Sequence, residues 1–248
     1  MKTVLITGCS SGFGLETARY FLERDWNVIA TMRTPNADVL PQSERLRVLA
    51  LDVTDAASIA AAVQAAGPID VLVNNAGVGM LGALEGQRID HVRDIFETNT
   101  IGTIAMTQAV LPQFRQRQSG VVINVTSSVT LKSLPLLAVY TGSKAAVNAF
   151  TESLALELQP FNIRAHIVLP GRAPETSFGQ NAQPRMQGSI PDAYAPLAQS
   201  IFAEWAKAEG PVTYAKDVAE AVWRAATDAS SPMRIAGGAD AQALLPLA

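Results

Sequence analysis

The chain begins with a short apolar run and a turn rich in glycine. The run is Val4–Ile6, and the turn TGCSSGFG occupies Thr7–Gly14. A helical spacing of apolar residues follows at Leu15, Ala18, Phe21 and Leu22. A strand, a tight turn and a helix start predict the first unit of an α/β fold. Free backbone N–H groups at such a helix start favour a phosphate.

Further apolar runs have the length of buried strands, and helical patterns separate them. These runs lie at residues 26–33, 46–51, 69–73, 121–125 and 163–169, with a possible edge strand at 233–235. Continuous apolar runs are typical of parallel strands that are covered on both faces. With no repeat or linker in the sequence, we predict one α/β domain over residues 1–248.

Composition and charge narrow the function classes. The net charge is −3 without a long basic run, so nucleic acid is not an expected partner. No stretch approaches the roughly 18 apolar residues of a membrane span, and the first apolar run is too short for a signal peptide. Cys9 is the only cysteine, which fits a reducing cytoplasm. His91 and His166 lack a metal-ligand spacing.

A tyrosine and a lysine open the longest helical pattern after the fifth strand. If the helix begins near Val139 and ends at Pro160, Tyr140 and Lys144 lie one turn apart on one face. A free phenol has a pKa of about 10, and a neighbouring cation would lower that pKa towards neutrality. The alternative is a surface helix with an incidental Tyr and Lys.

Two further polar residues are placed to join this pair. Ser127 follows the strand at 121–125, where α/β sheets open into a ligand crevice, so it could reach the same carbonyl oxygen. A local turn bond is its alternative role. Asn99 lies inside the helical region 89–118, where an amide is a poor helix former. Ser127 lacks a Gly-x-Ser-x-Gly elbow, which argues against a serine hydrolase.

Other strand ends offer cofactor contacts. The second strand is followed by Arg33, and residues 30–35 contain no carboxylate. This favours a dinucleotide with a phosphate on its ribose 2′-oxygen. A solvated loop cation is the alternative role of Arg33. Asp52 is placed for an adenine amino group or, alternatively, to cap the helix that begins before Ala57. The small residues of Asn74–Gly77 leave room for a ligand or for neighbouring backbone.

The segment after the sixth strand is irregular. Residues 172–196 hold four prolines and many small polar residues, which predicts a mobile segment. We expect a substrate lid at about 172–210; a helix packed for stability alone is the alternative. A mainly apolar substrate is expected from the side chains Leu131, Leu134, Leu136, Leu137, Leu197, Ile201, Phe202 and Trp205. Arg172 is the exception near these apolar residues: it could meet a substrate carboxylate, and the alternative is a solvated or phosphate-facing cation.

Taken together, these motifs resemble the classical short-chain dehydrogenase/reductase (SDR) family. The wording TGCSSGFG, with Arg33, is similar to that family's NADP-preferring steroid and retinoid branch. The resemblance implies a Rossmann-type, doubly wound, mostly parallel sheet of about seven strands, a nicotinamide cofactor and a homodimer or homotetramer. Its remaining signatures match Asp52-Val53, Asn74–Gly77, Asn99, Ser127, Tyr140-x-x-x-Lys144 and Pro170-Gly171.

The resemblance also implies roles for these residues. Tyr140 would supply or accept the proton. Lys144 would lower the pKa of Tyr140 and bind the nicotinamide ribose, and Ser127 would hydrogen-bond the substrate oxygen. Asn99 would hold a water. The expected cofactor contacts are Gly8, Ser10, Ser11, Gly12, Phe13, Gly14, Arg33, Asp52, Val53, Asn75, Ala76, Gly77, Tyr140, Lys144, Pro170 and Gly171. NADP(H) is expected in preference to NAD(H).

One motif departs from the family pattern. The family often shows Pro-Gly-x-x-x-Thr, whereas four residues separate Gly171 from Thr176 here. The expected activity is hydride transfer between the nicotinamide and the carbonyl or alcohol carbon of a small molecule. A cofactor-sensing binding protein, and a lyase or epimerase of the same family, are the alternatives, because a fold does not fix a function.

Overall fold

A computed structural model describes residues 1–176 and 178–245 of the chain. Its strands form one parallel sheet in the order β3-β2-β1-β4-β5-β6-β7. The strands are β1 (Thr3–Ile6), β2 (Asn27–Met32), β3 (Leu46–Ala50), β4 (Val71–Asn74), β5 (Gly120–Val125), β6 (Ile163–Leu169) and β7 (Arg234–Ala236). This confirms the doubly wound, Rossmann-type sheet and its edge strand β7.

Helices connect successive strands and cover both faces of the sheet. They are α1 (Gly12–Leu22), α2 (Ala56–Ala66), α3 (Ile89–Phe96), α4 (Gly102–Arg117), α5 (Ala138–Leu158), α6 (Phe178–Met186), α7 (Ala195–Lys207), α8 (Ala215–Thr227) and α9 (Ala239–Gln242). Parallel strands need such crossovers because consecutive strands must start from the same edge.

The alternation of side chains along the strands divides the core in two. Val4 and Ile6 of β1 point towards a cluster with α1 and α8, whereas Leu5 points towards α2, α4 and α5. An aromatic group of Phe21, Trp26 and Trp223 fills the first cluster, with ring centroids 5.1–5.7 Å apart. Burial on both faces explains why the strands are apolar throughout.

The strand order reverses between β1 and β4. These two strands pair directly, with Ile6 opposite Val73, and their connections leave in opposite directions. A crevice opens at the carboxyl ends of the strands at such a reversal, and ligands of α/β sheets bind there. Ser127 lies at this edge because it follows the end of β5 by two residues.

Three sequence-based expectations change in detail. The segment 172–196 is not wholly irregular, because α6 forms within it. Asp52 does not cap α2; Asp55 does, by accepting a hydrogen bond from the Ala57 N–H (2.8 Å). Asn99 lies in a single π-helical turn, Glu97–Ile101, between α3 and α4.

No helix in the described part of the chain is both long and apolar enough to cross a membrane.

Candidate active site

Three side chains meet at the carboxyl end of β5. Helix α5 begins at Ala138, so Tyr140 and Lys144 lie one turn apart, and both are buried. The side chains of Tyr140 and Ser127 are hydrogen-bonded to each other. Lys144 Nζ donates to the Val125 carbonyl at 3.1 Å. The structure thus brings Ser127 against Tyr140 and holds Lys144 Nζ at the end of β5, and the pair on α5 is buried; their convergence on one substrate oxygen stays a prediction.

Ser127 also makes the local turn bond that was its alternative role. It precedes a short 3₁₀ helix, Ser128–Thr130, and its Oγ accepts from the Val129 N–H at 3.3 Å. The two roles are compatible because a hydroxyl has one donor and two acceptor positions. The turn bond thus orients the hydroxyl that contacts Tyr140.

Burial dominates the ionisation of this cluster. Desolvation raises the pKa of Tyr140 above its usual range, and the hydrogen bond with Ser127 opposes only part of that effect. Desolvation also lowers the pKa of Lys144 to about 8. Burial therefore sets the direction of both pKa shifts, and the lowering of the Tyr140 pKa by Lys144 stays a prediction.

Asn99 is tied to the helix that carries Tyr140. Its Oδ1 accepts from the Val78 N–H (2.8 Å), while its Nδ2 donates to the Val78 carbonyl (3.0 Å) and to Ser143 Oγ (3.1 Å). Ser143 Oγ in turn donates to the Tyr140 carbonyl at 2.7 Å. The buried amide therefore braces α5 through Ser143, a residue that the sequence analysis missed although it lies between Tyr140 and Lys144.

The glycine-rich turn is shaped by close backbone contacts. Gly8 has φ 74°, and a Cβ there would lie 2.9 Å from the Ala76 Cα. A Cβ on Gly14 would lie 2.3 Å from the Gly8 carbonyl oxygen. Asn75 locks the turn by donating from Nδ2 to the carbonyls of Thr7 (2.8 Å) and Gly8 (3.1 Å). Asn75 therefore has a structural role in this loop.

This turn suits the diphosphate of a nicotinamide dinucleotide. Helix α1 starts at Gly12, and its N-cap Ser11 makes no side-chain capping bond. The backbone N–H groups of the first turn are thus available to an anion, which the helix dipole also favours. Gly77 lies outside this turn, after β4. A Cβ there would lie 3.2 Å from Asn99 Oδ1 and 3.3 Å from Lys144 Nζ, so glycine leaves space beside these two polar atoms.

Arg33 and Asp52 follow the ends of the neighbouring strands β2 and β3. Arg33 is exposed directly after β2, and Asp52 is half-buried. Hydrogen bonds from the backbone and the hydroxyl of Thr54 lower the pKa of Asp52, and the charge of Arg33 adds a smaller lowering. Val53 beside them is buried against Gly102. The pair thus combines a cation with a carboxylate at one strand edge.

The end of β6 is held by the 3₁₀ helix after β5 and by the segment before α8. The Pro170 carbonyl accepts from the Ser128 N–H (2.8 Å), and Thr213 Oγ1 accepts from the Gly171 N–H (2.8 Å). Arg172 donates to the Ala208 carbonyl at 3.1 Å. Thr176 lies over the glycine-rich turn, with its Cβ 3.7 Å from a Cβ placed on Gly12. The longer segment still brings Thr176 to the predicted crevice.

Helix α7 packs beside the loop that precedes α5. Leu136 and Ile201 are buried in one apolar cluster with Ala83 and Ala198, and Trp205 is partly buried against it. Leu136 has the left-handed φ of 64°, which is rare for a leucine. Of the other predicted wall residues, Leu131, Leu134 and Leu137 are half-buried, whereas Leu197 and Phe202 are exposed.

Within residues 1–176 and 178–245, no group of three or more His, Cys, Asp or Glu side chains could hold a metal ion.

Cys9 is fully buried, and desolvation raises the pKa of its thiol to about 12, so it packs rather than reacts. His166 is buried in β6, as its position in the strand predicts.

Comparison with known proteins decides the family. The sequence profile described as short chain dehydrogenase matches residues 2–187. The chain belongs to the short-chain dehydrogenase family. An uncharacterized oxidoreductase of Bacillus subtilis, YusZ, is 43% identical over 68% of this chain, which spans only 64% of the Bacillus protein's length. Bovine retinol dehydrogenase 8 is 34% identical over 94% of this chain and 80% of its own length.

Solved members of the family share the fold and contain nicotinamide cofactors. A short-chain dehydrogenase from Burkholderia cenocepacia in complex with NADP is 26% identical and matches with a TM-score of 0.79, covering 99% of this chain and 93% of that chain. A 3-ketoacyl-(acyl-carrier-protein) reductase from Brucella melitensis complexed with NADH is also 26% identical, with a TM-score of 0.77 and coverage of 95% and 97%. Family likeness therefore indicates a nicotinamide cofactor without choosing between the two forms.

Proposed function

We propose that this short-chain dehydrogenase is an NAD(P)-dependent oxidoreductase that interconverts a carbonyl group and a primary or secondary alcohol on a mainly apolar small molecule. The observation that carries the proposal is the buried cluster of Ser127, Tyr140 and Lys144. Buried titratable groups at the ligand crevice of an α/β sheet are typical of catalysis.

Each residue of the cluster has a role that its contacts support. A bound nicotinamide supplies or accepts the hydride. Tyr140 donates a proton to the substrate oxygen during reduction and accepts it during oxidation. Its raised pKa keeps the phenol protonated at neutral pH, which suits the donor. Ser127 Oγ hydrogen-bonds the same substrate oxygen and stabilises the charge that develops there.

Lys144 and Asn99 complete the proposed catalytic group. The Lys144 ammonium binds the ribose of the cofactor and adds positive charge one turn from Tyr140. The amide of Asn99 uses both of its N–H groups on protein acceptors. A water on Asn99 would therefore bind Oδ1 or the backbone carbonyl, and would carry protons between the lysine and solvent.

We also propose that NADP(H) is preferred over NAD(H). A 2′-phosphate adds nearly two negative charges, and a guanidinium can pair with it in a planar, charge-assisted geometry. Arg33 is exposed at the end of β2, and no carboxylate follows that strand up to Pro35. Asp52 lowers the gain because its charge interacts with that of Arg33 from the end of the next strand.

An apolar substrate is supported by the cluster between α7 and the loop before α5. Leu136 and Ile201 pack together there. Leu136 precedes Tyr140 by a few residues, and Ile201 lies on the proposed lid, 172–210. The likeness to a retinol dehydrogenase agrees with an apolar alcohol. Arg172, which donates one of its five N–H groups to the Ala208 carbonyl, is the charged exception near these apolar residues.

The assembly proposed is a cytoplasmic homodimer or homotetramer. The exposed apolar side chains of Ile101 before α4 and Leu156 on α5 would be covered in such an assembly. Light scattering of the purified protein measures the mass directly, and a monomer at micromolar concentration would contradict this part of the proposal.

The test of the function is cofactor turnover. Purified protein is assayed with a panel of apolar and anionic ketones, aldehydes and alcohols, with NADPH or NADH and the oxidised forms. We expect turnover, higher kcat/KM for apolar substrates and at least a threefold preference for the phosphorylated cofactor. Tight cofactor binding with no turnover of any panel member would instead favour a cofactor-sensing binding protein.

A further inference from the structure

A second buried polar side chain follows Lys144 by one turn on α5. Asn148 is 5% exposed, and its Nδ2 donates to Thr130 Oγ1 at 2.9 Å. Thr130 Oγ1 donates to the Ser127 carbonyl at 2.8 Å. A chain of two hydrogen bonds therefore runs from α5 to the backbone of Ser127.

The position of Asn148 on the helix is informative. Tyr140, Lys144 and Asn148 are spaced four residues apart, so they lie on one face of α5. The phenol and the amide are thus carried by one rigid element, and the amide fixes the loop that holds Ser127. Distances between catalytic groups are held best when rigid elements carry both sides.

Both ends of Ser127 are restrained by this arrangement. Its carbonyl accepts from the hydroxyl and, at 3.2 Å, from the backbone N–H of Thr130. Its Oγ accepts from the Val129 N–H at 3.3 Å. The hydroxyl's other hydrogen-bonding positions serve Tyr140 and, in the proposed function, the substrate oxygen.

Stability alone does not account for the amide. Asn148 Oδ1 is buried and accepts no hydrogen bond from any described residue. Leaving a buried acceptor unpaired destabilises the folded state, and an apolar side chain of similar size would avoid that cost. The donor side of the amide, towards Thr130, is the part that makes a bond.

We propose that Asn148 and Thr130 are positioning residues that set Ser127 against Tyr140. This inference rests on the proposed function, because it assigns the hydrogen bonds to the alignment of a catalytic hydroxyl. It predicts that the chain affects the chemical step more than cofactor binding or folding.

The test uses isosteric changes in the chain and a matched control. Thr130→Val removes both hydrogen bonds of this path, and Asn148→Leu removes only the one from α5. Thr130→Ser keeps the hydroxyl. As the control, Thr151→Val removes a different buried hydroxyl of α5, which accepts from Asn124 Nδ2 at 2.8 Å. We expect Thr130→Val and Asn148→Leu to lower kcat about tenfold or more, since small misplacements of catalytic groups are costly. Cofactor affinity should stay within about twofold.

Three readouts separate alignment from a structural role. Thr130→Ser should restore most of kcat, and the double variant should lose little more than either single one because both act through one chain. In the oxidation direction, the pH limb assigned to Tyr140 should move to higher pH, since the Ser127 bond lowers the pKa of that phenol. Thr151→Val should lower Tm and leave kcat within about twofold.

Hydrogen exchange of the segment 127–131 provides a measurement that does not depend on turnover. Thr130→Val and Asn148→Leu should speed its exchange, and Thr151→Val should not. Unchanged exchange in both chain variants would overturn the inference, and so would kcat values within twofold of an active parent. An inactive parent would overturn the proposed function instead. Hydrogen exchange would then still test whether Asn148 and Thr130 restrain the loop that carries Ser127.

Discussion

Replacing Lys144 with methionine should stabilise the cofactor-free protein while abolishing its activity. The side chain is buried, and desolvation lowers its pKa from 10.5 to about 8. At about 1.4 kcal/mol per tenfold change in protonation, this corresponds to a penalty of roughly 3 kcal/mol on the charged form. Methionine keeps the length of the side chain without the charge.

Part of that gain is lost with the hydrogen bond. Lys144 Nζ donates to the Val125 carbonyl, and such a bond contributes about 1 kcal/mol. The net expectation for Lys144→Met is therefore about 2 kcal/mol of additional stability at pH 6.5. A stabilising substitution at a site that abolishes turnover is the behaviour of a residue retained for function.

The sign of the pH dependence follows from the lowered pKa. Below about pH 8 the lysine is charged in both states, so the folded parent carries the full penalty. Between pH 8 and 10.5 the folded state has released the proton that the unfolded chain still binds, so the parent gains stability as pH rises. The advantage of Lys144→Met should thus shrink to about zero near pH 9.5.

Urea unfolding of cofactor-free protein at pH 6.5 and 9.5 measures both quantities. Lys207→Met is the matched control, because Lys207 is exposed in the last turn of α7 and its replacement should change stability by less than about 0.5 kcal/mol. A Lys144→Met protein that is less stable than its parent at pH 6.5 would refute the reasoning. A difference that does not depend on pH would refute it equally.

Three other perturbations test separate parts of the structure. Arg33→Ala should reduce the NADPH over NADH ratio of kcat/KM by about tenfold, the lower end for a charged hydrogen bond at an exposed site; an unchanged ratio would remove Arg33 as the selector. Gly14→Ala should weaken cofactor binding and lower stability by about 1–3 kcal/mol, because its Cβ would overlap the carbonyl of the preceding turn. Gly179→Ala, where a Cβ meets nothing within 4 Å, is its control. Stability should fall as pH drops below about 6.5, because burial lowers the pKa of His166 and the unfolded chain binds the proton first; His166→Gln should flatten this Tm profile between pH 7 and 5.

The sheet could be predicted because its strands are apolar throughout and end at clear turn signals. Strand β6 matches its prediction at both ends, since it follows Asn162, whose φ is 54°, and stops before Pro170. Helix α6 was missed because its sequence contains a proline and several small polar residues, which normally break helices.

The candidate site could be proposed from the sequence, but its electrostatics could not. Spacing places Lys144 beside Tyr140 without showing that both are buried, and burial decides their pKa values. Asp52 was considered as the cap of α2, whereas Asp55, directly before the helix, is the residue that caps it. The supporting contacts of Ser143 and Asn148 depend on which face of α5 meets the sheet, and a single sequence does not fix that.

The catalytic assignment of Tyr140 is the central claim, and Tyr140→Phe tests it most directly. Removing one hydroxyl deletes the proton donor and leaves the ring packed on α5. With an active substrate from the panel, kcat should fall about a hundredfold or more. Cofactor affinity and Tm should stay close to those of the parent. A Tyr140→Phe protein that folds, binds the cofactor and keeps most of its kcat would contradict the account.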